Sequence, residues 1–430
     1  MRARVAPSLA LLLALLAACS GKPGHAVGPD VAYVGVDNTG LVVIEGGKAR
    51  TLIENKYGIR DLAVGPNGEL FATAIGGMWE TSGGALTKLP DPAPNRQFEK
   101  IAVAPDGTLW GIDQTGAGKW NGREWTLVPR STFAGDELLS DIAVDSGGHA
   151  WVTTMDHIWR LDGDTWSKVD TFISADEPFF HSLATDSAGD VYVASAEGVF
   201  LFDQKTWTKI SMVDDDFPML GAIVAGPDGR IAVSGGGTQF ALRAPGKSWR
   251  ILSLADRKVN ASEGEVEAID GSGRTWLETD NGVAILDADG ALVQQWLPGT
   301  LPGVTGRIQT IAVSGKGPVM PQLTAVAKGT ITGTFIFEGQ AVAGAPVELC
   351  ASPATMLTGK TPCSESPAVY EARTGDDGRF TVANVPISSY GFAVRTKGTW
   401  FVTWGIDACC SEMKDSGSYD VGSIEVGKDP

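Results

Sequence analysis

Between residues 59 and 320 the chain alternates short apolar runs with polar turns in one recurring phrase: an apolar strand, a glycine-anchored turn, then a strand carrying an aromatic. The turns read GPNGELF, APDGTLW, DSGGHAW, DSAGDVY, GPDGRIA, GSGRTW and SGKGPVM. Their anchors are Gly68, Gly107, Gly148, Gly189, Gly229, Gly273 and Gly317, 39 to 44 residues apart. Each unit then continues through a bend into two more short runs, which predicts four antiparallel strands per unit. A sheet so small is apolar on both faces and can hide neither alone, so the units must stack around an axis. A spacing of about 41 residues is that of one propeller blade.

The ends of this region complete one another. Residues 31–53 (VAYVGVDNTGLVVIEGGKARTLI) have strands without a first strand of their own, and RIQTIAVSGKG, ending at Gly317, is a first strand with no unit after it. Joining them makes a seventh unit. The expected fold is therefore all-β: a seven-bladed β-propeller over residues 31–322, closed by pairing of N- and C-terminal strands.

Aromatic residues supply a second register. Phe71, Trp110, Trp151, Tyr192 and Trp276 each lie three residues after an anchor, and Trp125, Trp166, Trp207 and Trp249 recur near the start of each fourth strand. One bulky ring per unit at a fixed position is what packing between stacked sheets requires. The phrases IAVAPDGTLWGIDQTG and LATDSAGDVYVASAEGVFLFD, with GREWT and GDTWS closing units, resemble the two-component-regulator propeller repeat of periplasmic sensor regions. They are also similar to the repeat of streptogramin-lyase-like propellers. Both resemblances imply the same fold, and propellers host many unrelated functions.

Ahead of the repeat, MRARVAPSLALLLALLAACSG has two arginines, an apolar run from Leu9 to Leu16 and the closing string Leu16-Ala17-Ala18-Cys19. This reads as a signal peptide over residues 1–19, too short to span a bilayer. The closing string resembles a bacterial lipobox, which implies lipidation of Cys19. By the same resemblance, Ser20 implies sorting to the outer membrane. Residues 20–30 read as a Gly/Pro tether. A net charge of −17 without a Lys/Arg cluster argues against nucleic acid and against electrostatic adhesion to anionic lipid, leaving the acyl anchor as the expected membrane attachment.

After Pro321 the repeat stops. GTITGTFIFEGQAVAGAPVELC, TGDDGRFTVANVPISSYGFAVRTKG and GSYDVGSIEVG are strand-like segments broken by glycine turns, and they predict a small β-sandwich over residues 329–428. Asp377-Gly378-Arg379-Phe380 and Val385-Pro386 to Tyr390 resemble the carboxypeptidase-regulatory, prealbumin-like family, whose fold class includes glycan binders and plain spacers. Besides Cys19 the cysteines are Cys350, Cys363, Cys409 and Cys410, an even set that allows three disulfide pairings.

Catalytic patterns are scarce. Of the four histidines, His25 is in the tether and His149, His157 and His181 are scattered singly, with no metal-ligand spacing. Streptogramin lyases, as the resemblance implies, use histidines of the last blades, yet residues 222–320 contain none. Lactonase-type propellers hold a divalent metal in the channel. Here the Asp287/Asp289 and Asp162/Asp164 strings sit on turns, where Asp-Gly is ordinary turn chemistry. No cofactor is expected.

Because first strands line a propeller's channel, the residues just before them ring one mouth. Aligned on the anchors, these are Arg60, Glu99, Ser140, His181, Gly221, Glu265 and Gln309. The next column is Asp61, Lys100, Asp141, Ser182, Ala222, Val266 and Thr310. Mixed charge beside small residues suits a polar ligand or a peptide. The leading expectation is a non-catalytic, lipid-anchored binding or interaction module of the cell envelope, its partner an envelope protein or polar ligand. The alternatives are a lyase-like or lactonase-like enzyme and carbohydrate binding by the sandwich.

Overall fold

The computed structural model describes residues 29–427 apart from short stretches, the longest being 170–178, 211–219, 354–360 and 404–416. Cys19, Cys409 and Cys410 lie outside the described residues. The chain is all-β, and the one helical element among the described residues is the single turn Arg130–Thr132.

Six four-stranded antiparallel sheets follow one another in chain order. Sheet 1 runs from Ile59 to Lys88, sheet 2 from Lys100 to Pro129 and sheet 3 from Leu139 to Lys168. Sheet 4 runs from Phe180 to Ile210, sheet 5 from Leu220 to Ser253 and sheet 6 from Gly264 to Trp296. Sheet 7 takes its first strand, Ile308–Ser314, from one side of the region and the other three, Val31–Val36, Gly40–Glu45 and Lys48–Glu54, from the other. The junction is antiparallel, with Val31 opposite Ser314 and Val34 opposite Ile311. The first strands neighbour one another in a cycle that returns from Ile308–Ser314 to Ile59–Val64. Four-stranded sheets in this arrangement are the construction of a β-propeller.

The anchors explain the turns. All seven have positive φ, from +73° at Gly317 to +85° at Gly107 and Gly189, a conformation that costs glycine little. Each donates its N–H to the carbonyl three residues back, as Gly68 does to Gly65 at 3.0 Å and Gly148 to Asp145 at 2.9 Å. That is a type I turn closed by a left-handed residue, which reverses a strand over a short loop.

Second strands such as Leu70–Ala74, Ala150–Thr154 and Ile231–Gly235 are buried at every position. They are covered on both faces, so they read as continuous rather than alternating apolar runs. Hydrophobic clusters accordingly form between sheets. Phe240 and Leu242 of sheet 5 pack with Val266, Leu277 and Ala284 of sheet 6, while Trp276 and Trp296 of sheet 6 pack with Ala32, Val34 and Ile44 of sheet 7.

The aromatic column is buried, and in sheets 3, 4 and 6 an aspartate in the anchor turn accepts from its ring, whereas sheet 2 pairs Trp110 with Ala104 at that place. Trp151 Nε1 donates to Asp145 and Trp276 Nε1 to Asp270, both at 2.9 Å, and Tyr192 donates its hydroxyl to Asp186 at 3.1 Å. Sheet 1 has Phe71, without a donor, and Gly65 in place of the aspartate. The pairing of Asp with a donor ring six residues on thus satisfies a buried N–H or O–H that packing alone would leave orphaned.

In the C-terminal region, one sheet contains Lys328–Phe337, Gln340–Ala341, Arg379–Pro386 and Ser418–Val426, the last pairing in parallel with the first. A second contains Pro346–Cys350, Tyr370–Arg373, Gly391–Thr396 and Thr399–Thr403. Phe335, Phe380 and Ile424 of the first share a core with Val347, Leu349 and Phe392 of the second. Cys350 and Cys363 are joined by a disulfide.

Asp270 gives a direct test. Its fully buried carboxylate holds Trp276 Nε1, Arg274 Nε at 2.7 Å and Ser272 Oγ at 2.6 Å. Asp270→Ala orphans all three, and we expect a loss of about 3 kcal/mol in equilibrium denaturant unfolding. A loss under about 1 kcal/mol would show that the clasp contributes little.

Candidate functional site

An innermost strand has a neighbour on one side only, so some of its N–H groups face the next sheet with no ladder partner. Here side chains of the preceding inner strand supply acceptors. Asp61 Oδ2 accepts from Ile101 N at 2.7 Å, and Asp141 Oδ2 from Leu183 N at 3.0 Å. Ser182 Oγ accepts from Ile223 N at 3.3 Å, Glu267 Oε2 from Ile311 N at 3.0 Å and Gln309 Oε1 from Ile59 N at 2.8 Å. Between sheets 2 and 3 the equivalent residue is Lys100, which cannot accept, and Asp141 turns its Oδ1 back to its own neighbour Ile142 N at 2.8 Å.

β-Bulges set this register. Arg60, Ser140, His181 and Gln309 are the extra residues in sheets 1, 3, 4 and 7. In sheet 6 the extra residue is instead Glu267. Counting back from Gly273 puts Glu267 in the apolar column of Ile142 and Leu183, but Val266, opposite Leu277, fills that place. Glu265 shifts with it. It lies opposite Glu278 as Asp141 lies opposite Thr153, so its expected grouping with Arg60, Glu99, His181 and Gln309 is corrected: it stands in the column of Asp61, Lys100 and Asp141.

The result is a cluster of carboxylates around one ammonium. Lys100 Nζ is 3.9 Å from Asp61 Oδ1, and the fields of Asp61, then Asp141, Glu267 and Glu265, hold its pKa well above the usual lysine range despite partial burial. Burial pushes Asp61 up to about 6, with Lys100 opposing. Burial and then the charge of Glu278 push Glu267 up to about 8; burial and then Glu265 push Glu278 up to about 7. Arg307 Nε is 3.9 Å from Glu278 Oε1.

Glu265, Glu278, Arg307 and His181 share a cavity of about 330 Å³ with Gly221 and Ser234. His181 Nε2 is buried there without a hydrogen-bond partner. The other expected residues stand apart: Glu99 accepts from Gln114 Nε2 at 3.2 Å, Gln309 is engaged with Ile59, and Arg60 is exposed. Glu267, Glu278 and Arg307 were not among the expected residues. A glutamate interrupting an otherwise apolar column was the available signal for Glu267. The opposite mouth differs in character, with a cavity of about 510 Å³ ringed by Val64, Val103, Val144, Ile269 and Val313. Among the described residues no group of three or more His, Cys, Asp or Glu is placed to hold a metal ion.

No family model and no curated protein matches the chain. Solved structures similar to it include a streptogramin B lyase (14% identity, 56% of this chain and 83% of that one, TM-score 0.48). The virginiamycin B lyase of Staphylococcus aureus is similar at 11% identity, over 77% of this chain and 96% of that one, TM-score 0.48. A third is the extracellular domain assigned to a hybrid two-component system of B. thetaiotaomicron, at 12% identity over 85% of this chain and 55% of that one, TM-score 0.48. What those proteins cleave or sense is a property of those proteins.

The raised carboxylates make stability depend on pH with a definite sign. Between the ordinary glutamate value of 4.5 and about 8, native Glu267 keeps a proton that the unfolded chain has released, so this group's contribution to stability falls as pH rises through that window. Glu278 acts likewise between 4.5 and about 7, and Asp61 between 3.8 and about 6. Glu267→Gln keeps an acceptor for Ile311 N and removes the charge. Thermal unfolding should show the variant gaining on wild type as pH goes from 4.5 to 8; parallel curves would refute the assignment.

Proposed function

We propose that residues 31–322 form a seven-bladed propeller closed head to tail, followed by a prealbumin-like sandwich over 329–428, and that the whole is a recognition module held in the cell envelope through a lipid on Cys19. Pairing of Val31–Val36 with Ile308–Ser314 supports the closure, and the shared core of two four-stranded sheets supports the sandwich. The module is non-catalytic, and its ligand is polar and cationic, an ammonium- or guanidinium-bearing peptide of an envelope protein being the best match.

The observation that carries this reading is the surplus of carboxylates at the charged mouth. Asp61, Asp141 and Glu267 are engaged in holding the next sheet, whereas Glu265 and Glu278 line an open cavity in which Arg307 is the one Lys or Arg among the described lining residues. A ligand cation entering there gains charge-assisted hydrogen bonds to carboxylates whose structural duties are met elsewhere. Calorimetric titration with tri-arginine and tri-glutamate peptides tests it. Tri-arginine should bind, weaken about tenfold in Glu265→Gln/Glu278→Gln, equivalent to ~1.4 kcal/mol, and weaken with added salt. Equal affinity of the variant would sink the proposal.

One observation favours a second reading. Glu278, near neutrality, and the unpartnered imidazole of His181 line the same cavity, a pairing suited to general acid–base chemistry. Turnover of a cyclic ester that disappears in His181→Ala would move the balance to an enzyme, and absence of turnover across a panel of such esters would count against it.

A further inference from the structure

Between sheets 5 and 6, at the end of the ring that carries the anchor turns, lies a cavity of about 340 Å³. Arg230, Arg243, Lys247 and Arg250 line it, with Ile231, Leu242 and Ile269 as apolar wall and Asp289 as the acidic residue. We propose that this pocket binds an anionic headgroup, carboxylate, sulfate or phosphate, joined to an apolar segment.

Four converging cations run against the composition of a chain with 51 acidic and 34 basic residues. Two are fixed in place. Arg230 and Arg250 each donate to the Ala288 carbonyl at 3.2 Å, and Arg230 Nε also donates to Asp228 at 2.7 Å. Gly273 leaves the room this needs, since a Cβ there would lie 3.1 Å from Arg230 Nε. Arg243 Nε donates to the Lys247 carbonyl at 3.2 Å, which folds the intervening turn so that both cations face one cavity.

The charges are only partly answered. Asp289, almost wholly exposed, is 3.7 Å from Arg250, and Asp228 serves Arg230. Among the described residues neither Arg243 nor Lys247 has a carboxylate within ion-pair distance. Pre-positioned guanidinium groups with unfilled donors match a tetrahedral or planar anion. Ile231, Leu242 and Ile269 add apolar surface that a bare inorganic ion would not use.

Monomeric octyl phosphate, inorganic phosphate, and vesicles of phosphatidylglycerol or phosphatidylcholine are the probes, applied to the full chain at low salt. Octyl phosphate should bind about tenfold tighter than inorganic phosphate; Arg243→Gln/Lys247→Gln should weaken it about tenfold, and Asp289→Asn should tighten it. Binding of the monomer identifies a free amphiphilic anion. Binding confined to phosphatidylglycerol vesicles, and lost in the double variant, identifies a lipid headgroup. The proposal falls if neither probe binds, if wild type and double variant behave alike, or if inorganic phosphate matches octyl phosphate.

Discussion

An unpartnered backbone N–H on the innermost strand of each sheet is the constraint from which the channel's chemistry follows. A buried donor without an acceptor costs as much as a lost hydrogen bond, and the next sheet cannot supply a ladder partner because it stands beside the strand as a neighbouring wedge. Side-chain oxygens from the preceding inner strand are the remedy, and three of the five observed are carboxylates: Asp61, Asp141 and Glu267. The remedy has its own consequence. Carboxylates gathered in a channel lose water and repel one another, which is why Asp61 and Glu267 are pushed toward neutrality and why Lys100, unable to serve as an acceptor, is held firmly charged among them.

The repeat was legible because it is imposed by packing and turn geometry, both of which leave sequence marks. Seven glycines in the left-handed region, an apolar first strand and a ring three residues later recur wherever a sheet must turn back and wedge against its neighbour. The Asp–ring clasp was equally visible in DSGGHAW, DSAGDVY and DGSGRTW, although its purpose emerges only when Trp151, Tyr192 and Trp276 are seen to donate. Parallel pairing of Ser418–Val426 with Lys328–Phe337 left no such mark, since the direction of a strand is a property of the connection and not of its alternation.

The site was legible only in part, because a bulge changes register without changing composition. One inserted residue moves every earlier side chain by one column, so counting from Gly273 placed Glu265 in the column of His181 when it belongs to that of Asp141 and Lys100. The glutamate at 267, where other units have leucine or isoleucine, is the trace of that insertion. Glu278 and Arg307 were hidden for a different reason: they enter the mouth from a second strand and from the approach to an inner strand, positions that no column of first-strand residues includes.

Sheet 6 departs from the repeat's rule by its displaced bulge, and both candidate sites border it. The displaced bulge lets Glu267 take over the link to Ile311, and Glu265 and Glu278 are thereby left facing a cavity. At the other end of the same sheet, Gly273, Ala288 and Ile269 form one wall of the basic pocket. A ring of equivalent sheets has every position committed to packing or to linking neighbours, so capacity for ligands arises where one unit breaks the pattern and its side chains are released from those duties. By that reasoning the sheets that keep the rule, such as sheet 3 with its bulge at Ser140 and its Asp141 link intact, serve to hold neighbouring sheets together, and the two cavities at opposite ends of sheet 6 are where the proposed ligands would bind.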